Sequence, residues 1–187
     1  MELDKAFFIK WFGPFSSKEE VETWEKSHNC VINLYLLHGK RRYAKSKECY
    51  YCGKTIRAAY KRFKDAGHHI EEIQHRDHKI YIGYFSNFKS IKNSDIILVE
   101  KLLTSYLGWD LGTENMLNRI NFYPPNCHND ICIINRWYNW QTEKEYERTP
   151  LNSPSHIVPD VLVYRYDSDL KECKLVIAPR LKKLWYK

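Results

Sequence analysis

Glycine and proline are scarce in this chain, seven of each among 187 residues, and they gather into no low-complexity run. That excludes a collagen-like or linker-like polymer. Long hydrophobic runs are missing too. No segment approaches the roughly 18 consecutive apolar residues a spanning helix needs, so no membrane partner is expected. Met1 to Lys10 carries charges and lacks the apolar segment and small-residue cleavage site of a secretory signal. The expectation is therefore a cytoplasmic protein, whose six cysteines are thiols or metal ligands rather than disulfides.

What the chain does have is enough apolar material for a core, 43% by count, and an excess of positive charge, +7. Lys and Arg are spread along the whole length. Such a balance suits a polyanion, because neutralising phosphates releases counterions. Aromatic residues reach 15%, a supply of rings for packing or for stacking on bases.

The pattern reads as α+β: a small mixed or antiparallel sheet flanked by helices, with N- and C-terminal elaborations. Residues 1–29 form a strand–helix elaboration. Its strand covers 5–12, Gly13-Pro14-Phe15 makes a turn, and Ser16 with Glu19 forms the capping box of a helix through Trp24 to about His28. A core spans 30–118. It opens with a strand over 30–37, a basic hairpin loop over 38–47, and a strand over 48–53. Thr55 then starts a helix over 56–64 that Gly67 ends, and β segments follow at 70–74 and 79–85. Asp95 caps a helix over 96–107 that Gly108 closes. Residues 119–187 form an extension packed on the core, with a short strand at 131–134 and a hairpin of 161–166 with 173–177. Arg136, Trp137, Trp140, Arg148, His156 and Arg180 in this extension are candidates either to grip DNA or to pack.

Five landmarks fall in order between residues 30 and 118. Asn33-Leu34-Tyr35 and Tyr51-Cys52-Gly53 lie on adjacent strands, Arg62 on the following helix, Glu100 at the centre of a later helix, and Asn115 beyond its end. In these residues the chain resembles the GIY-YIG nucleases, with Cys in place of the Ile of the second tripeptide and only the Tyr kept of the first. The resemblance implies a metal-dependent endonuclease that hydrolyses phosphodiester bonds in double-stranded DNA, with a homodimer as one way for a single compact site to cut both strands. It implies that Glu100 holds one Mg²⁺ or Mn²⁺, a hard cation that takes oxygen ligands and water. It also implies that Arg62 clamps the phosphate and that Tyr51 positions water or phosphate. Tyr35 would serve as general base if a nearby cation lowers its pKa. Lys54, His68, His69 and Asn115 are the candidate substrate contacts. A literal Tyr81-Ile82-Gly83 also occurs, but no arginine-bearing helix follows it directly, and we read it as the third strand of the sheet.

Three other readings compete. Asp160, Glu172 and Lys174 fit the spacing of a PD-(D/E)xK nuclease. Cys49 and Cys52, with Cys127, His128 and Cys132, could bind zinc. A non-catalytic nucleic-acid-binding module on a decayed nuclease fold would suit the weakened first tripeptide and the basic loop of residues 40–47.

Overall fold

A computed structural model of the chain describes residues 4–28, 33–43, 47–86, 91–125, 130–146, 157–167, 169 and 172–178. It is α+β. The strands are β1 (Lys5–Phe15), β2 (Asn33–Lys40), β3 (Glu48–Thr55), β4 (Lys79–Phe85), β5 (Ile131–Tyr138), β6 (Val161–Asp167) and β7 (Glu172–Ala178), and the helices α1 (Lys18–His28), α2 (Ala59–Phe63) and α3 (Asn93–Leu111). All seven strands form one sheet in the order β3-β2-β4-β1-β5-β6-β7. Neighbours pair antiparallel except β1 with β5, which are parallel. Among the described residues no helix is long and apolar enough to cross a membrane.

The sheet is larger than the sequence suggests. The N-terminal strand, expected as an elaboration, lies at its centre between β4 and β5. Its alternation places Phe7, Ile9 and Trp11 on the face covered by α3. Trp11 is fully buried, stacks on Trp137 at 5.4 Å and donates through Nε1 to Asn135 at 2.8 Å. Gly13-Pro14-Phe15, expected as a turn, stays within the strand. The register with β4 shifts between Phe12 and Phe15, and this bulge sends Phe15 into the core on the opposite face.

That second core, under α1 and α2, collects Val21, Trp24, Tyr35, Leu37, Ala59, Phe63, Ile80 and Ile82. The capping of α1 sits one residue later than expected: Ser17 Oγ accepts from the Glu20 amide, and the Glu20 carboxylate accepts from the Ser16 amide. Helix α2 is only five residues long, because Thr55 Oγ1 both accepts from the Arg57 amide and donates to its carbonyl. Ile56, read as a helical core position, is exposed as a result. The buried Glu25 carboxylate of α1 holds the start of α2 by accepting from the amides of Ala59 (2.9 Å) and Tyr60 (2.8 Å). The segment at 70–74, expected as β, begins within a 3₁₀ turn over His69–Glu72, and of its residues Ile73 alone forms a β-bridge, with Arg41.

Helix α3 runs further than expected at both ends, with Asp95 inside its first turn accepting from the Lys92 amide. Gly108 lies within the helix. A Cβ there would stand 2.6 Å from the Phe122 ring, so the bare Cα is what lets Phe122 pack. Gly112, at φ +85°, ends the helix instead.

Glu25 carries the position of α2, and charge-assisted hydrogen bonds contribute about 1.5–3 kcal/mol each. Glu25→Ala is expected to lower unfolding stability by at least about 2 kcal/mol, and Glu25→Gln, which keeps one acceptor oxygen, by less. Urea denaturation of the three proteins measures this. Equal stabilities would show that α2 does not depend on that carboxylate.

Candidate active site

β2 is interior to the sheet, paired with β3 on one side and β4 on the other. Its register with β3 sets Tyr35 opposite Gly53 and Leu37 opposite Tyr51. The Tyr35 and Tyr51 rings therefore lie side by side, centroids 5.8 Å apart. Gly53 is what makes room for them. A Cβ on it would fall 2.5 Å from Tyr35 Cζ and 2.6 Å from both the Tyr35 hydroxyl and Tyr51 Cε1. Cys52 points to the other face, where it is fully buried in the α3 core, so its sulfur takes an apolar packing position.

The Tyr35 side chain is 1% exposed, which obliges its hydroxyl to find partners. His68, at the end of the loop after α2, supplies one. The Ile70 amide donates to His68 Nδ1 at 3.1 Å, so the ring carries its proton on Nε2 and donates it to Tyr35 Oη at 3.1 Å. The Arg62 guanidinium and the Tyr51 hydroxyl stand near the same oxygen and act on its ionisation, Arg62 favouring the phenolate and Tyr51 opposing it. Desolvation, with the Arg62 charge adding to it, pushes the His68 pKa down to about 4 and keeps the ring neutral. Desolvation also raises Tyr35 well above the usual phenol range, outweighing the opposing pull of Arg62. The condition for Tyr35 to act as general base, a pKa lowered by a cation, is not met in the free protein. Tyr35 is a neutral group that accepts from His68 and lies ring to ring with Tyr51.

Glu100 approaches from α3. β3 is an outer strand of the sheet, and its free main-chain groups are closed one by one. The Leu117 amide donates to Tyr50 O, Asn118 bonds both the amide and the carbonyl of Cys52, and the Glu100 carboxylate stands near the Lys54 amide, which lowers its pKa. Burial raises the Glu100 pKa, against the lowering effect of Lys54 and Lys101, and the Glu100 charge in turn helps raise Tyr51. Tyr51, half-buried, is thus where the tyrosine pair and the carboxylate meet. A half-desolvated carboxylate near one main-chain amide fits a hard cation completed by water. Among the described residues no group of three or more His, Cys, Asp or Glu side chains is placed to hold a metal ion, so a cation on Glu100 would take most of its ligands from water.

The remaining candidates divide. His69 packs on Tyr51 at 4.6 Å and bonds Glu72 at 2.6 Å. Asn115 is apart from the cluster, its amide donating to Leu111 O at the end of α3, whereas Asn118, unflagged by any motif, occupies the β3 edge. Asp65, also unflagged, accepts from Arg62 at 2.5 Å and from Arg57. Only its position three residues after Arg62 hinted at a pairing.

The rival constellations come apart. In the β6–β7 hairpin Glu172 lies opposite Asp167. Asp160, seven residues earlier on β6's side, is therefore about 23 Å away along the strand and cannot share a cation with Glu172. Lys174 pairs with Asp167 at 2.7 Å. Cys49 and Cys52 lie in opposite cores, as residues three apart on a strand must. Cys132 on β5 is four strand steps away, roughly 19 Å at about 4.8 Å per step. Cys127 and His128 fall outside the described residues, as do Arg148, His156, Arg180, the start of the expected strand at 30–32 and much of the basic loop. Arg136 is bound bidentately by Glu145, Trp137 is buried against Trp11, and Trp140 stacks on Phe15 at 4.8 Å. Tyr81-Ile82-Gly83 lies in β4, with Tyr81 against Trp137 and Gly83 under the Trp11 ring.

A pocket of about 810 Å³ opens elsewhere, against the C-terminal half of α3 and between Trp109, Phe122, Tyr123, Tyr164 and Leu175, and none of the motif residues lines it. No family model, curated protein or solved structure matches the chain.

Two tests follow from this geometry. Gly53→Ala is expected to cost about 1–3 kcal/mol by overpacking and to break the Tyr35–His68 bond, seen as a changed His68 imidazole NMR signal. His68, with a pKa near 4 when folded and near 6.5 when unfolded, disfavours protonation in the native state. Stability is then fully present above about pH 6.5 and falls as pH drops towards about 4, by up to about 3 kcal/mol. His68→Gln is expected to flatten that part of the stability–pH curve. An identical slope in wild type and variant would remove His68 from the network.

Proposed function

We propose that the protein is a metal-dependent endonuclease hydrolysing phosphodiester bonds in double-stranded DNA through a GIY-YIG-like site made of Tyr35, Tyr51, Arg62 and Glu100. The observation that carries this reading is that the Tyr35 and Tyr51 rings lie 5.8 Å apart while the charges of Arg62 and Glu100 both act on the Tyr51 hydroxyl, although the four residues span 65 positions of the chain. The hairpin–helix–strand–helix order that delivers them supports it.

A Mg²⁺ or Mn²⁺ on Glu100, when bound, would supply Lewis acidity toward the phosphate and a water of lowered pKa. The chain's own residues do the rest. Arg62, side chain 39% exposed and standing beside the Tyr35 hydroxyl, offers its remaining N–H groups to the phosphoryl oxygens. Tyr51, packed against the Tyr35 ring and half-buried, offers its hydroxyl proton to a phosphate oxygen or the attacking water. Tyr35 and His68 stand behind it without themselves changing protonation. The three described free cysteines, Cys49, Cys52 and Cys132, are all buried. Cutting both strands with one such site calls for a homodimer or two successive nicks.

A binding module without catalysis is the second reading, favoured by the high Tyr35 pKa, and the cleavage test separates the two. Supercoiled plasmid with Mg²⁺ or Mn²⁺ should be nicked or linearised by wild type. Glu100→Ala and Arg62→Ala should each lose at least about 100-fold in rate. Lys174→Ala should cleave normally. Wild type that binds DNA without cutting it would establish the binding module.

Stability offers an independent check on Glu100. Its raised folded pKa means that the ionised form opposes folding, so its stabilising protonated form is lost as pH rises through that pKa. Glu100→Gln is expected to melt higher than wild type at pH 7, with the gap closing below about pH 4.5 where both side chains are neutral. A variant that melts lower at pH 7 would contradict the burial of that charge.

A further inference from the structure

Two arginines from opposite ends of α2 converge on one oxygen atom. Arg57 Nη2 and Arg62 Nη1 both donate to Asp65 Oδ2, the second at 2.5 Å. The Arg57 main chain is held by Thr55 Oγ1, which fixes where its side chain starts, and the Arg62 guanidinium stands beside the buried Tyr35 hydroxyl. The group is nonetheless open to solvent, with side-chain exposures of 49% for Arg57, 39% for Arg62 and 31% for Asp65. Two cations aimed at one anionic oxygen make a geometry that suits a phosphate, which presents several such oxygens.

We infer that Arg57 and Arg62 together form a two-arginine seat for a substrate phosphate, and that the Asp65 carboxylate fills it when no phosphate is bound. The inference rests on the nuclease reading for the identity of the substrate, but the seat itself is defined by the arginines. Arg57 becomes a substrate-binding residue beside Arg62. Asp65 becomes the residue that sets phosphate affinity, since every bound phosphate must displace it. The competition also gives selectivity: a weakly charged anion does not displace a carboxylate held by two guanidinium groups, whereas a phosphate with several charged oxygens does.

The test compares wild type, Asp65→Asn, Arg57→Ala and the double variant. Two probes are used, inorganic phosphate followed by thermal shift and a short fluorescent DNA duplex in EDTA followed by anisotropy. Asp65→Asn is expected to bind both probes about tenfold more tightly, and its plot of log affinity against log salt should steepen by about 0.9, one more unit of net charge. Arg57→Ala should bind about tenfold more weakly and cancel the gain in the double variant. Arg57 lies on an exposed loop, so Arg57→Ala alone decides the matter if Asp65→Asn does not fold. Unchanged affinity in a folded Asp65→Asn, or a gain that survives Arg57→Ala, would overturn the seat. Plasmid cleavage is scored separately. The expected phosphate affinities in a wild type that never cuts DNA would leave the seat standing and remove the nuclease. Normal cutting with affinities unmoved by either substitution would do the reverse.

Discussion

A single buried oxygen, the hydroxyl of Tyr35, organises the site. Leaving such a group without partners costs about 1–3 kcal/mol, so the fold must bring polar groups to it. They come from three places in the chain: His68 from the loop after α2, Arg62 from α2 itself, and Tyr51 from the neighbouring strand. Each of these is in turn held by something else. The Ile70 amide fixes the His68 tautomer, Glu25 anchors the start of α2, and Gly53 leaves the space in which the two tyrosine rings lie. The requirement to satisfy one oxygen therefore ties α1, α2, β2 and β3 into a unit.

The same unit explains why the acid–base character differs from what the residue types suggest. Burial makes Tyr35 harder to ionise and His68 harder to protonate, so both are neutral partners at physiological pH. Charge is displaced to the periphery, onto Arg62, Arg57 and Asp65 on one side and Glu100 on the other. A surface with exchangeable ionic partners around a rigid neutral centre suits a long polyanion better than a small molecule, which would need an enclosing cavity. The pocket at the C-terminal half of α3 contains none of these groups.

The outer edge of β3 connects the two sides. An exposed edge strand invites pairing with another chain, and here it is closed by Leu117 and Asn118 in succession. Glu100 stands beside that edge, half-buried, with its carboxylate near the Lys54 amide and its charge acting on Tyr51. Asn118 takes part in closing that edge, whereas Asn115, singled out in the sequence as a substrate contact, bonds Leu111 O at the end of α3.

Much was legible from the sequence because it depended on local pattern. Period-two alternation placed β4 and the β6–β7 hairpin, helical spacing placed α1 and most of α3, and ordered landmarks singled out Tyr35, Tyr51, Arg62 and Glu100. Where a long-range contact competed with local propensity, that reading failed. Gly13-Pro14 reads as a turn until β4 and β5 pair on either side of β1, and Gly108 reads as a terminator until Phe122 needs its bare Cα. The PD-(D/E)xK spacing was real along the chain but not in space, because antiparallel register puts Asp160 and Glu172 at opposite ends of a hairpin. Composition and local periodicity by themselves determined that the chain is α+β, basic and without a spanning helix. Only tertiary packing decided that the N-terminal strand is central, that Tyr35 and His68 are neutral, and that Arg57 and Asp65 stand beside Arg62, because desolvation and strand order are properties of the assembled sheet and of no segment within it.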